Sequence, residues 1–522
     1  MTTATARRAL STGAPLARPR MHRFGIRTIA SLVGAGALLV SLTGAWIPSL
    51  WGDEAVSIMS AQRSLPSLFA MLGRIDAVHG AYYLFLHGWI SVFGTSELSV
   101  RSPSIIGVGI AAAGTVILGN LLFGRRIGIV AGVVLAVLPR VTYAGVEARS
   151  YALGIAVAVW LTVLLVVLIS RGSVGRRAWF GYAIVLAAAI YLFLYLFLLV
   201  FVHGVALLAT TRSRGILRRW LWGVGIAVGL AAPVLVWGIA QHHQISFLRS
   251  RYQVDLSTVF ASQWFNDSWL PVLCWGLIAL GIASVVRPVL TAGRRAGLSQ
   301  VLSPGAVGTD SMGAPLAIAW LVLPTAILLV GNAVTIPMYA TRYLTFCTPA
   351  VALLIAAGIA VLPRIWMQAS TIALLIALVV PGFLVQRGPY AMDGGSDWRQ
   401  ISSIVGAHAQ AGDAIVFGLA SRPSRMPRLA MRAYAFDYRG LNNVELATPF
   451  FASPGLRDEA APLRTVTARL VGSTTVWAVD PLPGTRSDTT KDVAALEHLG
   501  FHLVHEYPVH RNGVYELIRD TP

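Results

Sequence analysis

Two adjacent carboxylates, Asp53 and Glu54, lie where the first hydrophobic segment, residues 28–46, would leave a lipid bilayer. A carboxylate at this depth is poorly hydrated, and burial raises its pKa, which makes it a better proton acceptor near neutral pH. Neighbouring residues on a helix do not share a face, so one carboxylate would contact a substrate while the other holds a neighbour or an ion. The competing interpretation is that both are solvated charges at the start of a surface helix.

Further polar side chains are predicted on the same side of the membrane as Asp53. An enzyme that transfers groups there has no ATP and needs a substrate with its own activated bond, such as a lipid-linked sugar phosphate. The reaction requires a carboxylate that takes a proton from an acceptor hydroxyl and cations that stabilise the departing phosphate. The candidates on this side are Asp76, His79, Glu97, Arg101, Glu147, Arg149, Tyr151, His242, His243, Arg249, Arg251 and Arg342.

Several of these residues also have ordinary structural interpretations. Glu147 and Arg149 could form a salt bridge within a loop, and His79 could cap or hydrogen-bond an interfacial helix. Arg342 could be an interfacial anchor, although an arginine on this side runs against the usual charge distribution. His242 and His243 lack a third ligand at metal-binding spacing and favour a solvated loop.

The composition places these residues in an integral membrane protein. Of 522 residues, 56% are hydrophobic and 12% charged, and the mean hydropathy is +0.68. The net charge of +19 would suit nucleic-acid binding, but the arginines fall in short loops between apolar segments, where they determine topology. Nucleic acid is therefore excluded as a partner, and the bilayer is expected to be one.

The distribution of arginines predicts the orientation. Residues 1–27 carry arginines and no acid, which predicts a cytoplasmic N-terminal tail and a non-cytoplasmic Asp53 in the cell membrane. Residues 28–385 then form a transmembrane domain of about eleven spans. Its first outer loop, residues 47–101, contains a surface helix at 55–72 and a second interfacial or half-inserted helix at 81–93, which is apolar but short for a span.

The chain changes character after residue 386, where acids and prolines appear and apolar runs shrink to the length of strands. Strands alternating with helices predict a small α/β domain, and the parity of the spans places residues 386–522 outside the cell. The predicted elements are helices at 397–410 and 492–499 and strands at 414–417, 474–479, 502–506 and 514–518.

Several short motifs occur in an order that resembles the one in bacterial GT-C glycosyltransferases of glycosyltransferase family 39. These enzymes are the protein O-mannosyltransferases and their aminoarabinose-transferase relatives. The start of the outer domain, Asp397-Trp398-Arg399, is also similar to actinobacterial membrane mannosyltransferases. The resemblance spans most of residues 45–400. Its motifs are the Asp53-Glu54 pair, residues 79–83, Gly94 to Glu97 followed by Arg101 to Pro103, Glu147 to Tyr151, and Arg342-Tyr343-Leu344.

The resemblance implies transfer of a sugar from a polyprenyl-phosphate donor to an acceptor outside the membrane, with inversion at the anomeric carbon. It implies Asp53 as the general base, Glu54 as its catalytic partner and Glu147 as the acid of a second loop. Arg149 and Arg342 match phosphate or acid partners; His79, Arg101, Tyr151 and Tyr343 complete the expected substrate-binding set. The family often has His-Pro-Pro where this chain has His79-Gly80-Ala81, so the local backbone and the acceptor can differ.

The sequence therefore predicts a hexosyltransferase of GT-C type with mannose as the expected sugar and a glycan, lipid or protein as acceptor. No metal ligands are expected from the chain, and participation of a divalent ion is left open. The rival hypotheses are a transporter or flippase for a lipid-linked substrate and a membrane receptor with an outer ligand-binding domain. A transporter would favour acids near mid-membrane and related halves, which this sequence lacks.

Overall fold

A computed structural model describes residues 24–171, 175–211, 213–248, 254–265, 269–295, 311–420, 422–482 and 490–519. Most of the predicted N-terminal tail, residues 1–23, and the candidate residues Arg249 and Arg251 lie outside the described residues. The described chain forms a large helical unit followed by a small domain built on a β-sheet.

The helical unit contains a helical segment at each of the eleven predicted spans, because apolar sequence in a bilayer must satisfy its backbone hydrogen bonds internally. Six segments are long and apolar enough to cross a membrane, three shorter ones are also apolar, and how many cross stays a prediction. The main helices are α1 (Ile26–Leu42), α5 (Glu97–Phe123), α6 (Arg125–Val137), α7 (Pro139–Ala144), α8 (Tyr151–Ser170), α9 (Arg176–Leu192), α10 (Leu199–Thr210), α11 (Arg214–Ala240), α12 (Leu270–Arg295), α13 (Gly313–Val334), α14 (Thr348–Val361) and α15 (Ile365–Val385).

Small residues allow the first helices to pack closely. A Cβ added to Gly34 of α1 would lie 2.8 Å from the Gly109 oxygen of α5. Such small-residue contacts are the usual means of close helix packing in membranes. They bring α1 and α5 together at the base of the loop that carries Asp53.

The predicted surface helix at 55–72 is two helices, α2 (Gly52–Gln62) and α3 (Leu65–Leu72). The break falls at Arg63 and Ser64, whose extended backbone precedes a proline in the first turn of α3. A 3-10 turn, Ala77–His79, then leads into α4 (Gly80–Phe93), a helix of 14 residues. At 1.5 Å per residue, α4 is roughly 21 Å long and therefore shorter than the hydrocarbon core of a bilayer.

The C-terminal domain confirms the predicted strands and helices to within a few residues. Its five-stranded sheet has the order β2-β1-β5-β7-β6, with β1 parallel to β2 and β5, and β7 antiparallel to β5 and β6. Its elements are α16 (Trp398–His408), β1 (Ala414–Phe417), α17 (Arg428–Ala433), β2 (Asn442–Asn443), β3 (Leu446–Thr448), β4 (Glu459–Ala460), β5 (Thr475–Pro481), α18 (Thr490–His498), β6 (Phe501–Pro508) and β7 (Asn512–Arg519).

The domain packs directly onto α2. Leu50, Ala55 and Ile58 share one hydrophobic core with Trp398 and Leu429 of the domain. Because burying apolar area is the main favourable term in packing, this shared core holds the domain against the helix that carries Asp53.

Arg399 adds a polar tie between the two units. Its Nε donates to Glu97 Oε1 at 2.8 Å, and its guanidinium also donates to the Trp46 carbonyl. Arg399 therefore connects the C-terminal domain to the loop between α1 and α5.

Candidate functional site

Asp53 lies in the first turn of α2 and lines a cavity of about 360 Å³, called here the first cavity. Its Oδ2 accepts a hydrogen bond from Arg342 Nη1 at 3.0 Å, and the two side chains are 22% and 17% exposed. The structure thus pairs two predicted site residues that are 289 positions apart in sequence. A partly exposed carboxylate beside a guanidinium can contact a ligand that enters the cavity.

Glu54, the adjacent carboxylate, points the other way and is fully buried. Its two oxygens accept from Arg101 Nε at 2.8 Å and Nη2 at 2.7 Å, and Oε1 also accepts from the Ala148 amide at 2.9 Å. Arg101 is equally buried and donates to the carbonyls of Ala45, Pro48 and Ser49.

Glu54 is predicted as a catalytic residue and Arg101 as a substrate-binding residue. The structure places neither in the lining of the first cavity, and their polar atoms are occupied inside the protein. The pair instead ties α2 to α5 and to the loop before α8, and so positions Asp53.

Arg149 also lines the first cavity and is 7% exposed. Its Nη2 lies 3.1 Å from His79 Nε2, and its Nη1 lies 3.4 Å from both Ser57 Oγ and Tyr83 Oη. Tyr83 also donates a short hydrogen bond to Asp76. His79 and Arg149 thus lie next to each other, and both line the same cavity as Asp53.

Tyr343 supplies an aromatic wall next to Arg342. Its ring stacks on Tyr195 at 4.7 Å, and both residues line the first cavity. Tyr151, also predicted as a binding residue, does not line the cavity but packs beneath it, with its ring 5.5 Å from Phe193. Tyr151 is therefore placed to support Phe193 rather than to contact a ligand.

The charges around Asp53 reverse the expected direction of its pKa. Burial raises the pKa of Asp53, but Arg342 and Arg149 together with His79 and Arg457 outweigh burial and hold it below its ordinary value. The prediction that burial makes Asp53 a stronger base is wrong for this state. Burial next to Arg149 lowers the pKa of His79 to about 4, so its ring is neutral at pH 7 and accepts from Arg149.

Glu147 lines a second cavity of about 310 Å³, on the other side of Arg342. The second cavity is lined by Trp51, Arg140, Tyr143, Glu147, Thr341, Arg342, Asp393 and Arg422. Glu147 is 1% exposed, and its Oε1 has no hydrogen-bond partner among the described residues. Burial raises the pKa of Glu147 to about 7 against the opposing effect of Arg342.

The C-terminal domain contributes site residues that sequence reasoning missed. Pro423, Ser424, Leu456 and Arg457 line the first cavity from above. A Cβ on Gly52 would lie 2.2 Å from the Ser424 carbonyl oxygen, which shows how closely the domain approaches the turn before Asp53. Nothing in the local sequence of these loops indicates a site, because only the packing of the domain brings them to α2.

Two further features surround the first cavity. Asp76, which also lines it, has a left-handed backbone with φ of 63°, a conformation that is uncommon outside glycine and is often found at functional sites. His242 lines the cavity as well, with its ring 4.0 Å from that of His243. Among the described residues, no group of three His, Cys, Asp or Glu side chains is arranged to hold a metal ion.

Comparisons with known proteins support the fold. A family model described as dolichyl-phosphate-mannose-protein mannosyltransferase matches residues 81–237, while no curated protein matches the chain in sequence. The crystal structure of ArnT from Cupriavidus metallidurans in the apo state is 14% identical, with a TM-score of 0.53, and the match covers 93% of this chain and 97% of that one. The same enzyme bound to undecaprenyl phosphate gives a TM-score of 0.54 at the same identity and coverage.

These likenesses extend over nearly the whole chain, so they include the C-terminal domain as well as the helical unit. Six helices within the described ranges are suited to crossing a membrane, and the protein is a multi-pass membrane protein. The resemblance drawn from the motifs is confirmed at the level of fold. The chain has the GT-C fold of membrane glycosyltransferases.

Proposed function

We propose that the protein transfers a sugar, mannose as the first candidate, from a polyprenyl-phosphate donor to an acceptor on the outer side of the cell membrane. The observation that carries the proposal is the first cavity, where the Asp53 carboxylate and the guanidiniums of Arg149 and Arg342 face the same space. In the proposed orientation the N-terminus is cytoplasmic, and Asp53 and the C-terminal domain are outside.

The lining of the first cavity suits a lipid-linked phosphate. One wall is apolar and consists of residues next to the membrane helices, among them Phe193, Leu194 and Ile245. The same cavity is lined by Arg149 and Arg342, which can bind phosphate oxygens through charge-assisted hydrogen bonds. A prenyl chain can therefore lie along the apolar wall while its phosphate meets the arginines. The complex of the structurally similar ArnT with undecaprenyl phosphate supports a donor of this class.

Asp53 is the proposed general base. It takes the proton from the acceptor hydroxyl as that oxygen attacks the anomeric carbon, while the bond from this carbon to the phosphate oxygen breaks on the opposite face. The configuration is inverted, and the polyprenyl phosphate leaves with its negative charge stabilised by Arg149 and Arg342.

The low pKa of Asp53 fits this sequence of events. In the empty site, Arg342 pairs with Asp53 and keeps the carboxylate ionised. A donor phosphate competes for the same guanidinium, so binding of the donor weakens the ion pair and raises the basicity of Asp53. Neutral His79 takes part as a hydrogen-bonding partner of Arg149 rather than as a second cation.

Mannose is the first candidate because the family model that matches residues 81–237 is described as dolichyl-phosphate-mannose-protein mannosyltransferase. The test is sugar transfer by the purified full-length protein in nanodiscs, with polyprenyl-phosphate mannose and the corresponding glucose donor. A cell-envelope extract supplies the acceptor, and release of polyprenyl phosphate measures turnover of the donor.

Wild-type protein should consume at least one donor, and Asp53→Asn should reduce the rate about 10²–10⁴-fold, the usual effect of losing a general base. Asp255→Asn is the matched control, because Asp255 is exposed and its Oδ1 accepts from the Thr258 amide, a contact that asparagine can retain. Full transfer by Asp53→Asn would refute the assignment of the base. Repeating the assay with a chelator tests whether a divalent ion takes part.

A further inference from the structure

The second cavity adjoins the first at Arg342, which lines both. Trp51 lines the second cavity and Asp53, two residues later, lines the first, so the two cavities adjoin at the start of α2. If the donor occupies the first cavity, as the proposed function states, a group held in the second cavity is next to the reacting centre.

The lining of the second cavity carries excess positive charge. Three guanidiniums, those of Arg140, Arg342 and Arg422, face two carboxylates, those of Glu147 and Asp393. Asp393 is shared with Arg425, whose Nε lies 3.2 Å from its Oδ2, so only part of its charge is directed to the cavity. Arg422 is exposed and forms no ion pair within the described part of the chain.

The buried carboxyl of Glu147 is a second, independent reason to expect a ligand in the second cavity. Its Oε1 is enclosed and lacks a hydrogen-bond partner among the described residues. A buried polar atom without a partner costs free energy and is usually satisfied by water or by a ligand. Because Glu147 lines the second cavity, a ligand hydroxyl bound there can donate to Oε1.

We infer that the second cavity binds the acceptor and that this acceptor is an acidic sugar, with a carboxylate or phosphate held by Arg422 and Arg140 and a hydroxyl that donates to Glu147. That the bound sugar is the acceptor rests on the proposed function, whereas the binding of an acidic sugar rests on the cavity alone. Arg140 is held in place through its hydrogen bonds to the carbonyls of Ser262 and Gln263. Arg422 extends from the C-terminal domain, so the domain selects the acceptor.

The test measures binding without turnover. Full-length protein is placed in nanodiscs of phosphatidylcholine, whose headgroup carries no net charge. Binding of glucose, glucuronate and glucose 6-phosphate is then measured by titration with saturation-transfer NMR. Glucuronate or glucose 6-phosphate should bind at least about tenfold more tightly than glucose, the effect of about 1.4 kcal/mol from one added charge-assisted contact. Whichever of glucuronate and glucose 6-phosphate binds more tightly shows whether the acceptor carries a carboxylate or a phosphate.

Three variants locate the site. Arg422→Gln should lose most of the preference for acid, and Arg422→Lys should retain it, because lysine restores the charge. Arg464→Gln is the matched control: Arg464 is also exposed on the C-terminal domain but lies outside both cavities. Since Arg422 makes no ion pair with described residues, its replacement should leave the thermal unfolding temperature unchanged.

Equal binding of glucose and the two acids would overturn the inference, and so would an acid preference that survives in Arg422→Gln. Displacement of the bound acid by undecaprenyl phosphate would also overturn it, since the acid would then occupy the first cavity. Failure of the proposed function gives a different result: no donor is consumed in the turnover assay while the acid preference persists, which removes the acceptor role.

Discussion

The adjacent residues Asp53 and Glu54 should respond in opposite ways to the loss of their charge. Glu54→Gln leaves the buried guanidinium of Arg101 without its carboxylate, and removing one partner of a fully buried ion pair costs about 3–5 kcal/mol. Asp53→Asn breaks a pair whose side chains are 22% and 17% exposed, and a pair that solvent reaches contributes less than a fully buried one. We therefore expect Glu54→Gln to unfold at a clearly lower temperature than Asp53→Asn.

Activity should show the reverse order. Asp53→Asn should reduce sugar transfer about 10²–10⁴-fold although the protein stays folded, because the proton acceptor is lost. Glu54→Gln protein that remains folded at low temperature should keep measurable transfer, because Glu54 lies outside both cavities. The measurements are thermal unfolding in one detergent, followed by tryptophan fluorescence, and donor turnover per folded molecule.

A double-variant cycle checks the physical cause. If the instability of Glu54→Gln comes from the unpaired Arg101 charge, the double variant with Arg101→Gln should cost less free energy than the two single variants added together. Additive effects, or a Glu54→Gln variant with the stability of wild type and the inactivity of Asp53→Asn, would refute the positioning role and return Glu54 to catalysis.

Three other changes test separate parts of the structure. Gly52→Ala should lower transfer and stability, because its Cβ would meet the Ser424 carbonyl oxygen at 2.2 Å; Gly88→Ala, with no atom within 4 Å of its Cβ, should leave both unchanged when rates and unfolding temperatures are compared. The pKa of Glu147 is raised from 4.5 to about 7, so ionisation of Glu147 destabilises the folded protein as pH rises from 4.5 to 7. The difference in unfolding temperature between Glu147→Gln and wild type should therefore grow over this pH range. The lowered pKa of His79 has the opposite effect on stability, but His79 is present in both proteins and its effect cancels in the comparison. Arg457→Gln should raise the KM for the donor with little change in the KM for the acceptor, because Arg457 lines only the first cavity; equal changes in both would contradict this placement.

The motifs near Asp53 could be predicted as a site because placing charged side chains at the edge of the membrane costs free energy and is therefore usually linked to function. The motifs did not reveal in which direction each side chain points. On one turn of α2, Asp53 faces the cavity and Glu54 faces Arg101, and this difference depends on where α5 and the loop before α8 lie. Likewise, the pKa of Asp53 could not be predicted from burial alone, since the opposing charges come from distant parts of the chain.

By itself, the sequence determined that the protein is a multi-pass membrane protein with a small α/β domain at its C-terminus, because hydropathy, arginine placement and strand patterns are local properties of the chain. Only the tertiary structure decided that Arg342 pairs with Asp53, that Glu54 is withdrawn into a buried ion pair, and that Arg457 and Arg422 of the C-terminal domain line the two cavities. These contacts join residues far apart in sequence, 289 positions for Arg342 and Asp53 and 47 for Arg101 and Glu54. Arg422 and Arg457 reach the cavities because the domain packs its core onto the helix that carries Asp53.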